Sequence, residues 1–233
     1  MFKLSFISFF IAFTVVVDAQ MSFSAKKLPQ APSGLRYKGK LQEAWKWKDS
    51  LGENVLLLSA TDVYWNKRED ASSVQLYAYH YCKSDTGYRV LWRLNDMIEN
   101  CPVDIKAAFL KGSTSITDLD KDGVAETTVQ YRLVCRGDVS PANMKLIMHE
   151  DTVKYALRGM MWTPFASPDP SNKKLPVTEK DVNLETLAGY KPDEDYYKEY
   201  GRYKSEKDFM KAPPSFLQFA KKQWLKFAVE PTD

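Results

Sequence analysis

Acidic residues recur at alternate positions in one short stretch of the chain, with a glycine among them. The carboxylates at positions 1, 3, 5 and 9 of this stretch belong to Asp118, Asp120, Asp122 and Glu126. Calcium takes about six to eight oxygen ligands, and Gly123 at position 6 permits the sharp turn that brings alternate carboxylates together. The stretch therefore predicts a calcium-binding (Ca²⁺) loop, in which the Val124 carbonyl supplies the oxygen of position 7.

The residues around this loop differ from those of a helix-loop-helix calcium site. Val129 stands at position 12, where such a site carries a bidentate glutamate. Apolar residues alternate with polar ones over residues 126–134, which is typical of a strand, and residues 113–117 also favour a strand. We therefore expect a calcium loop inserted in a β-hairpin. An acidic turn that binds no ion is the alternative.

The first 19 residues have the composition of a cleaved signal peptide. Lys3 precedes an apolar run over residues 4–17, which is short for a membrane span of about 20 residues. Small or branched residues precede the expected cut before Gln20, and no cysteine for a lipid anchor follows it. We expect an exported protein of the periplasm, cell surface or medium, with no transmembrane segment after cleavage. An uncleaved anchor helix is the alternative.

Three cysteines in an oxidising compartment allow one disulfide and leave one thiol. We expect Cys101 to pair with Cys135, because the two bracket the calcium loop. Such a bridge would add about 3 to 4 kcal/mol to the free energy of unfolding on the chain-entropy model. Cys82 would remain unpaired and buried. A zinc site at His80 and Cys82 is disfavoured, because further ligands are missing.

The balance of charges restricts the class of partner. The formal net charge is +3, and the expected loss of Lys3 and Asp18 leaves it unchanged. Residues 26–48 are locally basic and could contact anionic glycans or lipid headgroups, although a solvated face is the commoner explanation of such a run. A mild charge and export both argue against a nucleic-acid partner.

Short strand-like runs separated by turn residues dominate the middle of the chain. These runs cover residues 53–60, 73–82, 88–93, 103–110, 113–117, 126–134, 144–149 and 154–159. They predict a mainly β protein with C-terminal helices (α+β), built on an antiparallel β-meander. The pattern leaves a sandwich and a propeller-like arrangement open. In order, we expect a signal peptide (1–19), an extended arm (20–40), a β-rich domain (41–162), a linker (163–181) and a helical C-terminal region (182–233).

The C-terminal region has a helical rather than a strand period. Residues 184–189 and 193–200 favour short helical pieces, and Ser215 is a candidate N-cap for a longer amphipathic helix. Docking of this helix on the β domain is the main prediction. Contact with a membrane surface is the alternative, because Trp and Phe residues opposite lysines also suit an interface.

Four segments together carry a resemblance to a known family. They are Thr117–Glu126, Cys135–Pro141, Lys145–Glu150 and Lys154–Gly159. With these segments the chain resembles a small Bacteroidetes-type family of exported surface polysaccharide biosynthesis proteins, over about residues 52–159. The resemblance implies an envelope location and an association with polysaccharide, and it assigns no reaction. The acidic loop is also similar to those of integrin-type and bacterial propeller repeats, although it occurs once and ends in Glu126 where those repeats carry Asp.

Binding is easier to support from the residues than catalysis. The chain shows no pair of carboxylates in a glycosidase motif and no nucleophile motif, whereas aromatic residues make up 13% of it. Candidate sugar-stacking rings are Trp45, Trp47, Tyr64, Trp65, Tyr77, Tyr79 and Tyr81, with core packing as the alternative. We therefore expect a non-catalytic envelope protein whose partners are cell-surface glycans or envelope proteins. A carbohydrate-active hydrolase or transferase is the second hypothesis, and an adhesin or protein-interaction module is the third.

Overall fold

Antiparallel strands are the main regular elements of the described residues, and one α-helix follows them. The computed structural model describes residues 24–166, 174–192 and 194–231. The predicted signal peptide (1–19) lies outside these residues. The described strands are β1 (Lys26–Leu28), β2 (Lys40–Asp49), β3 (Gly52–Ala60), β4 (Tyr64–Asn66), β5 (Ala71–Ser84), β6 (Gly87–Cys101), β7 (Asp104–Phe109), β8 (Ser115–Thr117), β9 (Glu126–Arg136), β10 (Asn143–Glu150) and β11 (Val153–Met160), and the helix is α1 (Pro214–Phe227).

The strands form two antiparallel sheets. Sheet A has the order β1-β2-β3-β5-β4, with β6 also paired to β5. Sheet B has the order β11-β10-β9-β7, with β8 also paired to β9. Most neighbouring strands are consecutive in sequence, as in a meander. The mainly β prediction with a C-terminal helix is confirmed.

Apolar side chains from both sheets meet in one core. Leu58 and Ala78 of sheet A belong to the same buried cluster as Val129, Ile147 and Ala156 of sheet B. Side chains alternate between the two faces of a strand, so each sheet turns one face to this core. The two sheets therefore pack face to face, as the two layers of a sandwich do.

The N-terminal arm covers the outer face of sheet A. The aromatic rings of Tyr77, Tyr79 and Tyr81 lie on that face and are buried, and the partly buried Leu28 and Leu35 of the arm pack against them. The Lys38 amide donates to the Tyr79 hydroxyl at 3.3 Å, and the Tyr81 hydroxyl donates to the Arg36 carbonyl. The tyrosine stripe therefore packs against the chain itself, which removes it from the set of sugar-stacking candidates.

The C-terminal region covers the outer face of sheet B. Phe216, Ala220 and Trp224 recur every four residues along α1, and all three are fully buried against that sheet. This face of the helix therefore docks on the β domain, as predicted, and its Phe216 and Trp224 rings are covered by the sheet. Within the described residues, no helix is both long and apolar enough to cross a bilayer.

The ends of the helical elements differ from the predicted ones. Helix α1 begins at Pro214, and Pro213 occupies the N-cap position assigned to Ser215. Proline favours the first helical turn, because its missing N–H is an unpaired donor there in any case. The two shorter predicted pieces contain single 3₁₀ turns at Leu184–Thr186 and Tyr196–Glu199.

A disulfide and an ion pair stabilise the edge of sheet B. The predicted Cys101–Cys135 disulfide is present, and Cys82 is free and buried. The Arg136 guanidinium donates two hydrogen bonds to the Glu230 carboxylate, at 2.9 and 2.7 Å. Glu230 also accepts from the Ala142 amide at 3.1 Å, so the segment after α1 is tied to β9.

We expect acid to destabilise the sandwich through its two buried histidines. Burial lowers the pKa of His80 to about 3, and the charge of His149 is a smaller cause of the same shift. Burial also lowers the pKa of His149 to about 3. Unfolded imidazoles bind protons below about pH 6.5, so the free energy of unfolding falls as the pH drops from there toward 3, by about 1.4 kcal/mol per pH unit for each histidine.

Urea unfolding of wild type and His80→Gln between pH 7 and 4 measures this effect. The variant removes one titrating ring, so its free energy of unfolding should fall less steeply with acid. Equal slopes for the two proteins would contradict the assignment to His80.

Candidate metal centre

The acidic loop joins two paired strands, as predicted. Residues 118–125 connect β8 to β9, and Thr117 pairs with Glu126 at the base of the hairpin. Gly123 has a φ of 87°, a conformation that favours glycine. A Cβ atom at Gly123 would also lie 2.5 Å from the Ser50 hydroxyl oxygen. The loop therefore needs a glycine for its turn and for its close approach to the β2–β3 connection.

The four predicted carboxylates come together in two overlapping groups. One oxygen each from Asp118, Asp120 and Glu126 lie within 4.8 Å of one another, and so do oxygens from Asp120, Asp122 and Glu150. Asp120 belongs to both groups. Carboxylates at such separations repel one another strongly unless a cation lies between them or one of them binds a proton.

Glu150 is the member of the cluster that the sequence pattern did not reveal. It ends β10 and pairs with Glu126 of β9, so it enters the loop from the neighbouring strand. In a helix-loop-helix site the last acidic ligand comes from position 12 of the loop itself, where this chain has Val129. The strand register, set by the connection over residues 137–142, brings Glu150 to the loop.

Burial affects the two glutamates most. Glu126 is fully buried and accepts hydrogen bonds from the Thr117 hydroxyl at 2.9 Å and from the Leu119 amide. These bonds lower its pKa, yet burial outweighs them and raises the pKa of Glu126 to about 8. Burial, followed by the charges of Asp120 and Asp122, raises the pKa of Glu150 to about 6.

Two buried oxygens of the cluster lack a hydrogen-bond partner among the described residues. They are Oδ1 of Asp118 and Oε1 of Glu150. Buried polar atoms are rarely left unpaired, and a set made only of oxygen ligands suits a hard cation such as calcium. The residues present therefore fit the predicted ion. The Val124 amide donates to Oδ1 of Asp122 at 2.7 Å, and its carbonyl stays a predicted ligand.

The buried carboxylate of Asp49 links the loop to sheet A through hydrogen bonds. It accepts from the Trp47 indole at 2.9 Å, from the Asn54 side chain at 2.8 Å and from the Ala125 amide at 3.2 Å. A further bond runs from the Ser50 amide to the Gly123 carbonyl at 2.8 Å. No local pattern predicts this role, because Asp49 lies 76 residues before Ala125 and belongs to no motif.

Comparison of the chain with protein-family models, with curated proteins and with solved structures found no match. The resemblance to surface polysaccharide proteins therefore stays an expectation. The geometry of the cluster alone supports the metal assignment.

Removing the Asp49 carboxylate should destabilise both the sandwich and its loop. Asp49→Ala leaves buried donors of Trp47, Asn54 and Ala125 unpaired, at a cost of about 1 to 3 kcal/mol each. Urea unfolding should therefore show a loss of at least about 3 kcal/mol in the free energy of unfolding. The control is Asp62→Ala, whose carboxylate is exposed and forms only a surface ion pair with Lys40. Equal losses for the two variants would contradict the role of Asp49.

Calcium should raise the melting temperature of the protein, and Glu150 should contribute to its affinity. Calcium at 100 times its Kd adds about 2.7 kcal/mol to the free energy of unfolding, which corresponds to about 5 to 10 °C at this chain length. Glu150→Gln keeps the shape of the side chain and removes its charge, so the calcium Kd should rise about tenfold or more.

Asp151→Asn provides the matched control for Glu150→Gln. It removes a neighbouring charge outside the cluster, and its positive φ of 45° is tolerated by asparagine. Isothermal titration should show a much smaller change in Kd for this variant. A wild-type melting temperature that is identical in EDTA and in calcium would mean that the loop is an acidic turn only.

Proposed function

We propose that the protein is an exported, calcium-stabilised envelope protein that binds surface polysaccharide without acting on it chemically. The observation that carries this proposal is the convergence of Asp118, Asp120, Asp122, Glu126 and Glu150 at the junction of the two sheets. A bound cation would neutralise this charge and fix the loop.

The effect of calcium would reach beyond the loop. The loop belongs to sheet B, and it is bonded to sheet A through Asp49 and Ser50. Glu150 brings β10 into the same cluster. A calcium ion bound there would hold together the hairpin, the neighbouring strand and the facing sheet, which is a structural role and requires no reaction.

Two features support export. The first 19 residues have the composition of a signal peptide. The Cys101–Cys135 disulfide also favours an oxidising compartment, because disulfides are rare where glutathione keeps thiols reduced. Extracellular calcium is abundant enough for weak sites, with Kd values of about 0.1 to 1 mM, to be filled.

The exposed aromatic rings of β4 are the surface we assign to polysaccharide. Tyr64 and Trp65 are 44% and 56% exposed, in contrast to the covered tyrosines of β5. The Gln75 amide donates to the Tyr64 hydroxyl at 3.1 Å, which limits the motion of that ring. An aromatic ring with an apolar face and a polar edge suits a sugar, which has both kinds of surface.

A glycan array probed with the mature protein in calcium tests this function. We expect binding to acidic or neutral surface polysaccharides, and a loss of roughly three- to tenfold in affinity for Trp65→Ala. The control is Phe165→Ala, which removes an aromatic ring that is 71% exposed outside β4. Absence of glycan binding in calcium, or release of reducing sugar from a bound glycan, would contradict the proposal.

A further inference from the structure

Three side chains with buried polar atoms, Ser115, Thr128 and Gln130, lie together on one face of the β8–β9 hairpin. Ser115 is directly opposite Thr128 in the register of the two strands, and Gln130 follows Thr128 on the same face two residues later. Thr128 and Gln130 are both 0% exposed. We name this group the polar row.

The polar row faces apolar side chains on the neighbouring strand, and along β9 the same face continues to the buried residues Glu126 and Arg132. Thr128 pairs with Met148 and Gln130 with Leu146 on the next strand, and both partners belong to the buried cluster that includes Trp224 of α1. The row therefore lies between sheet B and the C-terminal layer, away from bulk water.

None of the four polar atoms of the row has a hydrogen-bond partner among the described residues. These atoms are Oγ of Ser115, Oγ1 of Thr128, and Nε2 and Oε1 of Gln130. Nearly all buried polar groups in proteins are paired, with protein atoms or with ordered water. Four unpaired atoms on one face are therefore a sign that another polar group lies among them.

We propose that the polar row is an internal hydration site that holds one or more ordered water molecules. Water both donates and accepts, which matches two hydroxyl groups and an amide that offers a donor and an acceptor. A cation would be repelled by the Nε2 donor, and the three residues of the row carry no carboxylate of their own. An anion would lack sufficient donors. None of the three residues belongs to the acidic cluster, and Glu126 of that cluster is the preceding residue on the same face of β9.

The site would have a structural consequence for the layer above it. A buried water that bonds to Thr128 and Gln130 fixes both side chains, and so it fixes the surface on which the C-terminal segments pack. An interior water of this kind exchanges slowly and is visible in a well-ordered crystal.

Two measurements on the mature protein test the proposal. A crystal structure at about 1.5 Å should show water within hydrogen-bond distance, about 3.2 Å, of Thr128 and Gln130. Thr128→Val should lower the melting temperature by about 2 to 6 °C, because it removes a satisfied hydrogen bond. Thr127→Val is the matched control, since its hydroxyl donates to the His149 carbonyl at 3.4 Å on the opposite face, and we expect a loss of similar size.

Three outcomes of these measurements would overturn the hydration site. If the row is dry, Thr128→Val removes an unpaired hydroxyl and should leave the melting temperature unchanged or raise it. A crystal structure in which the Gln130 amide bonds directly to Ser115 or Thr128, with no water between them, would also refute the hydration site. So would a pocket that is empty of water and takes up xenon, because xenon occupies apolar cavities.

Discussion

The junction between the two sheets depends on one buried carboxylate. Asp49 lies at the end of β2, and its two oxygens accept hydrogen bonds from its own hairpin and from the acidic loop of the facing sheet. A buried carboxylate is stable only when its lone pairs are matched by donors. Satisfying this single group positions the Trp47 indole and Ala125 of the acidic loop, and the backbone bond from Ser50 to Gly123 is a second link to the same loop.

The outer faces of both sheets are covered by other segments of the chain. The outer face of sheet A is closed by the N-terminal arm through apolar contacts and tyrosine hydroxyl bonds. The outer face of sheet B is closed by the C-terminal region. Both sheets therefore have two covered faces over much of their area, which explains why their strands contain near-continuous runs of buried residues, such as the seven from Asn54 to Ala60.

Local patterns predicted the parts of the fold that depend on neighbouring residues. Strands β3, β9, β10 and β11 have apolar runs or clear alternation, and they lie within one to two residues of their expected ends. Strand β2 was missed, because its lysines alternate with Trp45 and Trp47 and the stretch was interpreted as a basic surface. The pairing of β2 with β3 in the structure shows that this stretch is a strand. The second half of β6 was missed for a similar reason, since Asn95, Glu99 and Asn100 suggest a loop.

Some residues of the candidate site could be predicted from local sequence, and others come from distant parts of the chain. The alternation of acids with Gly123 predicted the loop, because all its members lie within nine residues. Glu150 and Asp49 depend on strand register and sheet packing, which no local motif encodes. The ligand set is therefore a product of the tertiary structure as much as of the loop. Grafted onto an unrelated hairpin, the segment from Asp118 to Glu126 would carry its glycine and four of the five carboxylates, and it would leave behind the acid that only the adjacent strand supplies.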